Sequence, residues 1–285
     1  MKVKDLWELT RFEHSIMLAI AVVVGEVVTL RFLPSYDFLL LSVIPPMLAS
    51  AASFAINDYF DLRSDRINRR RDRPLVSGKV KPQRAYLLSI ALFISGILVS
   101  LLINLNSFIL VVAFSILAYL YSFRLKDVAL LGNIYIAATM AIPFLYGGVA
   151  VADELPPALL VLSSIAFVSG LAREVMGAIR DVRGDRRGRK SKTLPMVVGA
   201  RNSLLLSSLL YITSIVLSAI PYLYIAPYAG NILYIIPTVI TDVLLAYIAL
   251  NSFRDTSAGF MKSSRNISLA AMFVALLGFL AAPLV

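Results

Sequence analysis

The stretch SAASFAINDYFDLRSDR, residues 50–66, runs from small apolar residues directly into acids and arginines. A second stretch, DVRGDR at residues 181–186, nearly repeats its last six residues and also follows an apolar segment. Polar groups so close to a membrane-length apolar segment are costly and are functional by default. The two stretches therefore predict chemistry at the ends of two membrane helices.

The composition indicates an integral membrane protein. Of the 285 residues, 59% are hydrophobic and 15% are charged, whereas soluble domains average about 25% charged residues. The charges cluster between apolar runs that approach the ~20 residues a helix needs to cross a bilayer. The first run is too long for a cleavable signal peptide, and many similar runs follow it.

The residue types restrict the chemistry. The sequence contains no cysteine, which excludes disulfides and thiol catalysis, and its one histidine is His14. Any metal must therefore be held by oxygen ligands, which favours Mg²⁺, Mn²⁺ or Ca²⁺. The net charge is +10. In a membrane protein, basic residues in the loops indicate first which side of the membrane the loops occupy. The charge therefore does not point to nucleic acid, and we expect no nucleic-acid partner.

Nine apolar runs predict an all-α bundle of nine transmembrane helices, forming one domain over residues 1–285. The predicted spans are 14–33, 38–58, 85–103, 107–122, 128–151, 158–179, 203–225, 231–250 and 267–284. This topology leaves two long loops on one side of the membrane, at about 57–84 and 180–202, each beginning with one of the acid motifs. We expect them to lie over a central cavity.

The distribution of basic residues supports this topology. With nine spans, 25 of the 27 lysines and arginines fall on the side of the N-terminus and the two long loops, whereas Arg31 falls on the opposite side. An error in the number of spans would place many of these basic residues on the opposite side of the membrane. The positive-inside rule then places the N-terminus and both long loops in the cytoplasm, with the protein in the cell membrane.

The first acid motif follows the second predicted span. Three carboxylates share one helical face, at i, i+3 and i+7, with Asn57 beside them: Asp58, Asp61 and Asp65. Carboxylates on one face repel each other unless a cation lies among them, and Mg²⁺ usually keeps substrate phosphates in its shell. Arg66 and Arg73 follow, and arginine binds phosphate bidentately. The motif predicts Mg²⁺ with a phosphate-bearing ligand; the alternative is a solvated loop whose acids balance its arginines.

The second acid motif follows the sixth predicted span. Asp181 and Asp185 form an i, i+4 pair, and basic residues including Arg186 and Lys192 follow them. Two such motifs at the cytoplasmic ends of two helices could face each other across a cavity. They would then hold a metal-bridged diphosphate between them.

The segment YSFRLKD, residues 121–127, lies in a loop on the same predicted side. Tyr121 could donate a hydrogen bond and Lys126 a point charge to the same phosphates. The alternative is an interfacial tyrosine and an ordinary positive-inside lysine. Their position on the same side as both acid motifs supports the functional interpretation and leaves the alternative open.

At these residues the chain resembles the UbiA superfamily of intramembrane prenyltransferases. The first motif matches the family's NDxxDxxxD pattern at 57–65, and the second matches DxxxD at 181–185. The continuations RPLVSG at 73–78 and KTLP at 192–195 match as well. The resemblance covers the whole chain and implies an all-helical membrane fold that transfers a prenyl group.

The resemblance also implies roles for individual residues. The implied metal ligands for Mg²⁺ are Asp58, Asp61, Asp65, Asp181 and Asp185. Catalytic roles are implied for Asp61, Asp65, Asp181, Tyr121 and Lys126. Substrate-binding roles are expected for Asn57, Arg66, Arg73, Lys126, Arg186 and Lys192.

The resemblance implies an isoprenyl diphosphate donor, with geranylgeranyl diphosphate expected. Within the superfamily the chain is most similar to the branch that prenylates geranylgeranylglyceryl phosphate in archaeal ether-lipid synthesis. An acceptor with its own phosphate also suits the surplus of arginine. The alternative acceptor is an aromatic quinone precursor of the 4-hydroxybenzoate or dihydroxynaphthoate type.

Two other classes of membrane protein remain as alternatives. A CDP-alcohol phosphotransferase also uses clustered aspartates, but it needs DG followed closely by AR before its DxxxD, and the sequence lacks that string. A non-catalytic cation transporter would place its acids near the membrane midplane. The acids here lie at predicted helix ends, which argues against transport.

Overall fold

The computed structural model describes residues 2–67, 69–188 and 193–285, apart from the side chains of residues 180, 181, 183–188 and 258. Over these residues the chain is helical and contains no β-strand. The α-helices are α1 (Val3–Thr10), α2 (Phe12–Leu30), α3 (Tyr36–Ile67), α4 (Pro82–Ser100), α5 (Leu105–Phe123), α6 (Leu131–Val151), α7 (Pro157–Gly188), α8 (Leu194–Val198), α9 (Ala200–Tyr224), α10 (Ile232–Asn251) and α11 (Ala258–Ala281). Short 3-10 helices lie at Leu125–Asp127 and Ala282–Leu284.

The prediction of nine membrane helices is confirmed for the described residues. Nine of the helices, α2 to α7 and α9 to α11, are long and apolar enough to cross a membrane. The protein is therefore a multi-pass membrane protein. Most of the predicted ends lie within three residues of the observed ones, but α3, α7 and α11 are longer than their apolar segments.

The predicted start of the first long loop is wrong. Residues 57–67, expected to open the loop, continue α3 to Ile67, and α7 likewise continues to Gly188. Residues 57–67 contain neither proline nor glycine, and extending an existing helix needs no new nucleation. The first acid motif therefore lies on a polar extension of a membrane helix, in keeping with the helical face predicted for its three carboxylates, and the loop begins after it.

The described residues group into two compact units, and the first comprises residues 2–20, 35–67, 69–128 and 183–188. In this unit α3 packs against α1, α4 and α5. Its apolar core joins α1, α3, the 69–81 loop and α4: Leu9, Ala55, Leu75, Val80 and Ala85. Lys79 Nζ donates to Glu8 Oε2 at 2.8 Å. The loop after α3 is therefore held against α1.

The second unit comprises residues 21–34, 129–182 and 193–285. In this unit α10 packs against α9 and α11. Hydroxyl groups link neighbouring helices: Ser207 Oγ donates to the Ala172 carbonyl at 2.8 Å, and Thr241 Oγ1 donates to the Ala271 carbonyl at 2.8 Å. Such bonds stabilise helix pairs in a membrane, where apolar burial adds little.

A close approach of two helices in the second unit depends on glycine. A Cβ added to Gly147 on α6 would overlap the Val22 carbonyl of α2, and one added to Gly25 would overlap the Phe144 carbonyl. The two backbones therefore touch at this crossing. Small residues are what allow such contact between membrane helices.

We expect Gly147→Val to lower the melting temperature of the detergent-solubilised protein by several degrees. Its side chain would have to push α2 and α6 apart, and overpacking of this kind costs about 1–3 kcal/mol or more. The measurement is the melting temperature, with unfolding monitored by size-exclusion chromatography of heated samples. Gly177→Val is the matched control, because a Cβ at Gly177 meets none of the described atoms within 4 Å. Equal melting temperatures for the two variants would contradict the packing argument.

Candidate active site

The polar extension of α3 carries the first acid motif. The Asp58 side chain is 1% exposed and the Asp61 side chain is 13% exposed, and Asp65 is also buried. Burying a carboxylate is costly unless a cation or hydrogen-bond donor accompanies it. Each buried acid should therefore have partners from elsewhere in the first unit.

The first group of contacts is the lysine cluster, which consists of Asn57, Asp61 and Lys126. Lys126 Nζ donates to Asp61 Oδ1 and, at 3.3 Å, to Asn57 Oδ1. Asn57 Nδ2 donates to Asp61 Oδ2 at 3.1 Å. The 3-10 helix Leu125–Asp127 after α5 positions the lysine, whose side chain is 8% exposed. The structure thus brings together three residues that the sequence predicted as site residues.

The second group is the arginine cluster, which consists of Arg11, Asp58 and Arg73. Arg11 Nη2 donates to Asp58 Oδ1 at 3.2 Å, and Arg73 Nη1 donates to the same oxygen. The Arg11 guanidinium carbon also lies 4.6 Å from the centre of the Phe54 ring, within the range of a cation–π contact. Two guanidinium groups therefore converge on one buried carboxylate oxygen.

Arg11 is a site residue that the sequence reasoning missed, because it was counted there as an orientation residue. It lies between α1 and α2 with φ at 46°, a left-handed conformation that ends α1 and redirects the chain. Its partner Asp58 is 47 residues away in the chain. No local spacing could have signalled the pair.

Arg73 reaches Asp58 because the loop after α3 is anchored by apolar side chains. Leu75 and Val80 are buried in the first unit's core, and the Ser77 amide donates to the Arg73 carbonyl at 3.0 Å. Gly78 has φ at 77°, a conformation that favours glycine. The RPLVSG segment is thus a turn that presents its arginine to the acid motif.

Among the charged groups outside the membrane helices, Arg11 and Asp72 have shifted pKa values. Burial lowers the pKa of Arg11 from its ordinary value, and the nearby Asp58 carboxylate opposes that change. The Arg70 guanidinium beside Asp72 holds the pKa of that carboxyl below its usual value.

Other predicted site residues are less closely tied to these clusters. Arg66 is exposed on the last turn of α3, and Tyr121 is half-buried near the end of α5. Asp65 lies one turn after Asp61 and is buried. The roles expected for these three residues stay predictions.

The second acid motif lies at the C-terminal end of α7, which is helical to Gly188. The side chains predicted to form the second half of the site lie outside the described residues: Asp181, Asp185, Arg186 and Lys192. Their proposed roles therefore remain predictions.

The donor chemistry of the first motif fits a hard divalent cation. Asp58 Oδ2 is buried and has no hydrogen-bond partner among the described residues, which is the state of an oxygen suited to a further ligand. Carboxylate oxygens are the ligands that Mg²⁺ prefers. Over the described side chains, however, no three acids or histidines converge closely enough to hold a metal by themselves. A complete site would need the acids of the second motif as well.

The sequence is similar to named archaeal enzymes along its whole length. It is 38% identical to the digeranylgeranylglyceryl phosphate synthase of Archaeoglobus fulgidus, over 98% of this chain and 94% of that protein. It is 36% identical to the Sulfurisphaera tokodaii protein of the same name, over 88% of both chains. The Thermococcus kodakarensis protein of that name is 30% identical over the full length of both.

Solved structures share the fold. A digeranylgeranylglyceryl phosphate synthase in membranes superposes with a TM-score of 0.79 at 28% identity, covering 99% of this chain and 98% of that one. A UbiA homologue from Aeropyrum pernix K1 gives a TM-score of 0.79 at 20% identity, over 94% and 97% of the two chains.

A family profile agrees with these relatives. The profile of the UbiA prenyltransferase family matches residues 16–277, a range that contains both acid motifs and all nine apolar helices except their outermost turns. The resemblance inferred from the motifs is confirmed, and the expectation of a prenyltransferase is confirmed with it. The chain belongs to the UbiA prenyltransferase family.

Proposed function

We propose that this prenyltransferase moves a geranylgeranyl group from geranylgeranyl diphosphate to geranylgeranylglyceryl phosphate, a step in archaeal ether-lipid synthesis. The observation that carries the proposal is the 38% identity to the Archaeoglobus fulgidus digeranylgeranylglyceryl phosphate synthase over nearly all of both chains. The site is consistent with it, because both substrates bear phosphate and the first unit supplies Lys126, Arg11 and Arg73 beside the acid motif.

The proposed reaction is an ether-forming displacement. The allylic carbon–oxygen bond of the donor breaks, and its electron pair leaves with the diphosphate. The acceptor hydroxyl oxygen forms the new bond to that allylic carbon and loses its proton. The products are the ether, inorganic diphosphate and a proton.

The acids of both motifs would hold the divalent metal, which we propose to be Mg²⁺. Asp61, Asp65, Asp181 and Asp185 are the proposed ligands, with Asp58 contributing through Oδ2. When bound, the metal would neutralise charge on the leaving diphosphate and orient it.

The remaining side chains bind and orient the phosphates. Lys126 would donate to a diphosphate oxygen from its place beside Asp61, and Tyr121 would add a hydrogen bond from the end of α5. Donors fixed in a partly buried site stabilise developing negative charge without reorganising. The apolar helices would exclude water from the allylic cation.

The proposed orientation places this site at the cytoplasmic face. The N-terminal segment, the loop after α3 and the segment after α5 supply Arg11, Arg73 and Lys126 to one end of α3. In the second unit, Arg31 Nη2 donates to the Ala226 carbonyl at 2.7 Å, joining two loops that the topology places outside. These pairings are consistent with the nine-span arrangement.

We expect chelation of divalent metal to reduce transfer by at least about a hundredfold, because the leaving diphosphate would lose its main charge neutralisation. The measurement is the initial rate of purified protein after treatment with EDTA, followed by addition of Mg²⁺, Mn²⁺ or Ca²⁺. Mg²⁺ should restore the rate most fully. Undiminished transfer in EDTA would contradict a metal-dependent reaction.

The acceptor is tested by competition among substrates. Purified protein is incubated with geranylgeranyl diphosphate and Mg²⁺ against geranylgeranylglyceryl phosphate, 4-hydroxybenzoate and 1,4-dihydroxy-2-naphthoate. Mass spectrometry should show a doubly prenylated glyceryl phosphate as the main product. A prenylated aromatic acid as the main product would instead establish the quinone-precursor alternative. Ion flux in proteoliposomes without any prenyl transfer would favour a transporter.

A further inference from the structure

The arginine cluster has more donors than its carboxylate can use. Arg11 and Arg73 each direct one guanidinium nitrogen to Asp58 Oδ1. Among the described residues, the other nitrogens of Arg11 and Arg73 make no hydrogen bond, and Arg73 Nε is buried without a partner. A guanidinium has five N–H donors in a planar fork that matches phosphate geometry. Within the described part of the chain, the cluster therefore has donors to spare for an anionic ligand.

Among the described side chains, the neighbouring acids leave one guanidinium in excess at this position. Asp72 accepts two hydrogen bonds from Arg70, at 3.1 and 3.0 Å, and its distance to Arg73 Nε is 4.0 Å. Asp61 is paired with Lys126. Asp65 and Glu13 influence Arg11 more weakly than Asp58 does, and the positive charge of Arg70 opposes them. Asp58 is thus the one carboxylate in direct contact with both Arg11 and Arg73 among the described residues.

The cluster is supported by packed neighbours and is partly accessible, as a ligand subsite must be. The Arg11 side chain is 23% exposed and the Arg73 side chain is 16% exposed. Phe54 supports one guanidinium and the anchored loop after α3 supports the other. Holding both arginines in place before a ligand arrives reduces the entropy cost of binding.

The cluster also lies at a suitable distance from the lysine cluster. Their central acids, Asp58 and Asp61, are one turn apart on α3, which corresponds to about 4.5 Å along the helix axis. The proposed reaction brings together two phosphate-bearing molecules, and the acceptor carries its phosphate and its reacting hydroxyl on the same glycerol unit. Two adjacent phosphate subsites on one helix would meet that requirement.

We infer that Arg11 and Arg73, held together by Asp58, bind the phosphate of the acceptor, whereas the lysine cluster serves the diphosphate of the donor. The inference rests on the proposed function and deepens it. Asp58 then has a structural task in addition to any metal contact, because it holds two like charges side by side. Arg11 becomes a determinant of specificity for phosphorylated acceptors.

The test compares Arg11→Gln with wild type on two acceptors, geranylgeranylglyceryl phosphate and its dephosphorylated alcohol. We expect the KM for the phosphorylated acceptor to rise roughly ten- to a hundredfold, as for loss of a charge-assisted hydrogen bond. The KM for geranylgeranyl diphosphate and the rate with the alcohol should stay unchanged. Arg11→Lys keeps the positive charge but lacks the planar guanidinium, so it should give an intermediate KM. If Arg11→Gln folds poorly, the comparison of Arg11→Lys with wild type provides the test.

The control variant is Arg63→Gln, which removes an exposed arginine of α3 outside both clusters and should leave both acceptors unaffected. A higher KM for the diphosphate donor instead would assign Arg11 to the donor and overturn the inference. Equal losses with both acceptors would make Arg11 a purely structural residue and overturn it as well.

A second measurement separates this inference from the proposed function. Glycerol 1-phosphate is titrated into the full-length protein in detergent, and the melting temperature is followed. Wild type should be stabilised and Arg11→Gln should not. If wild type prenylates no glyceryl phosphate acceptor, the proposed function fails, and this titration still decides whether the arginines form a phosphate subsite. Equal responses of wild type and Arg11→Gln would overturn the subsite.

Discussion

Asp61→Ala is expected to lower kcat by at least about a thousandfold, because the position combines a proposed metal ligand with the anchor of Lys126. In the structure both oxygens of Asp61 accept hydrogen bonds, from Lys126 and from Asn57. Removing the carboxylate would release the lysine and also remove one proposed ligand of the metal. The measurement is the initial rate of geranylgeranyl transfer at saturating substrates and Mg²⁺.

Folding must be separated from chemistry in this variant. Truncating one partner of a buried ion pair can cost about 3–5 kcal/mol of stability, so Asp61→Asn is tested in parallel because it keeps the side chain's shape. Asp37→Asn is the matched control, since Asp37 is an exposed acid at the other end of α3. Wild-type turnover by a folded Asp61→Asn protein would eliminate the proposed role of this carboxylate.

Lys126→Met is expected to lower kcat/KM for the prenyl diphosphate by about a hundred- to a thousandfold. Loss of a fixed donor to developing negative charge typically has an effect of that size. The Lys126 side chain is 8% exposed and contacts both Asn57 and Asp61, so its ammonium is held in place before substrate binds. Lys126→Arg should recover part of the activity, because it keeps the charge but has a different shape.

The control for this variant is Lys79→Met, which removes an exposed lysine paired with Glu8. Exposed ion pairs contribute at most about 1 kcal/mol, so its turnover should match wild type. Should Lys126→Met and Lys79→Met show the same kinetics with the donor, Lys126 has no part in diphosphate binding. An effect on the acceptor KM alone would place Lys126 in the other subsite.

The membrane helices could be predicted closely because hydropathy is a local property of the chain. The nine spans agree with the structure over the described residues. The ends at Ile67 and Gly188 could not be predicted from hydropathy, because there the helix continues through polar residues. A hydropathy scale detects only the apolar segment of a helix that crosses the membrane. In α3 and α7 the helix continues beyond that segment, so its last residue cannot be found from hydropathy.

The site residues were predicted in part. Asn57, Asp61 and Lys126 were singled out from the motifs, and the structure places them in contact. Arg11 was missed because an arginine before the first span resembles any positive-inside residue. Asp58 was expected as a metal ligand, and its principal contacts in the structure are with two arginines. Nothing in the spacing of the motif distinguishes Asp58 from Asp61.

The sequence by itself determined that the chain is a membrane protein with nine apolar spans and with acid motifs at the ends of two of them. Those properties depend on apolar run length and on i, i+3 and i, i+4 spacing, which involve near neighbours in the chain. The tertiary structure decided which cation meets which carboxylate: Arg11 and Arg73 meet Asp58 across 47 and 15 residues, and Lys126 meets Asp61 across 65. These pairs form because α1, the loop after α3 and the segment after α5 pack onto one end of α3, and such packing depends on contacts between distant segments.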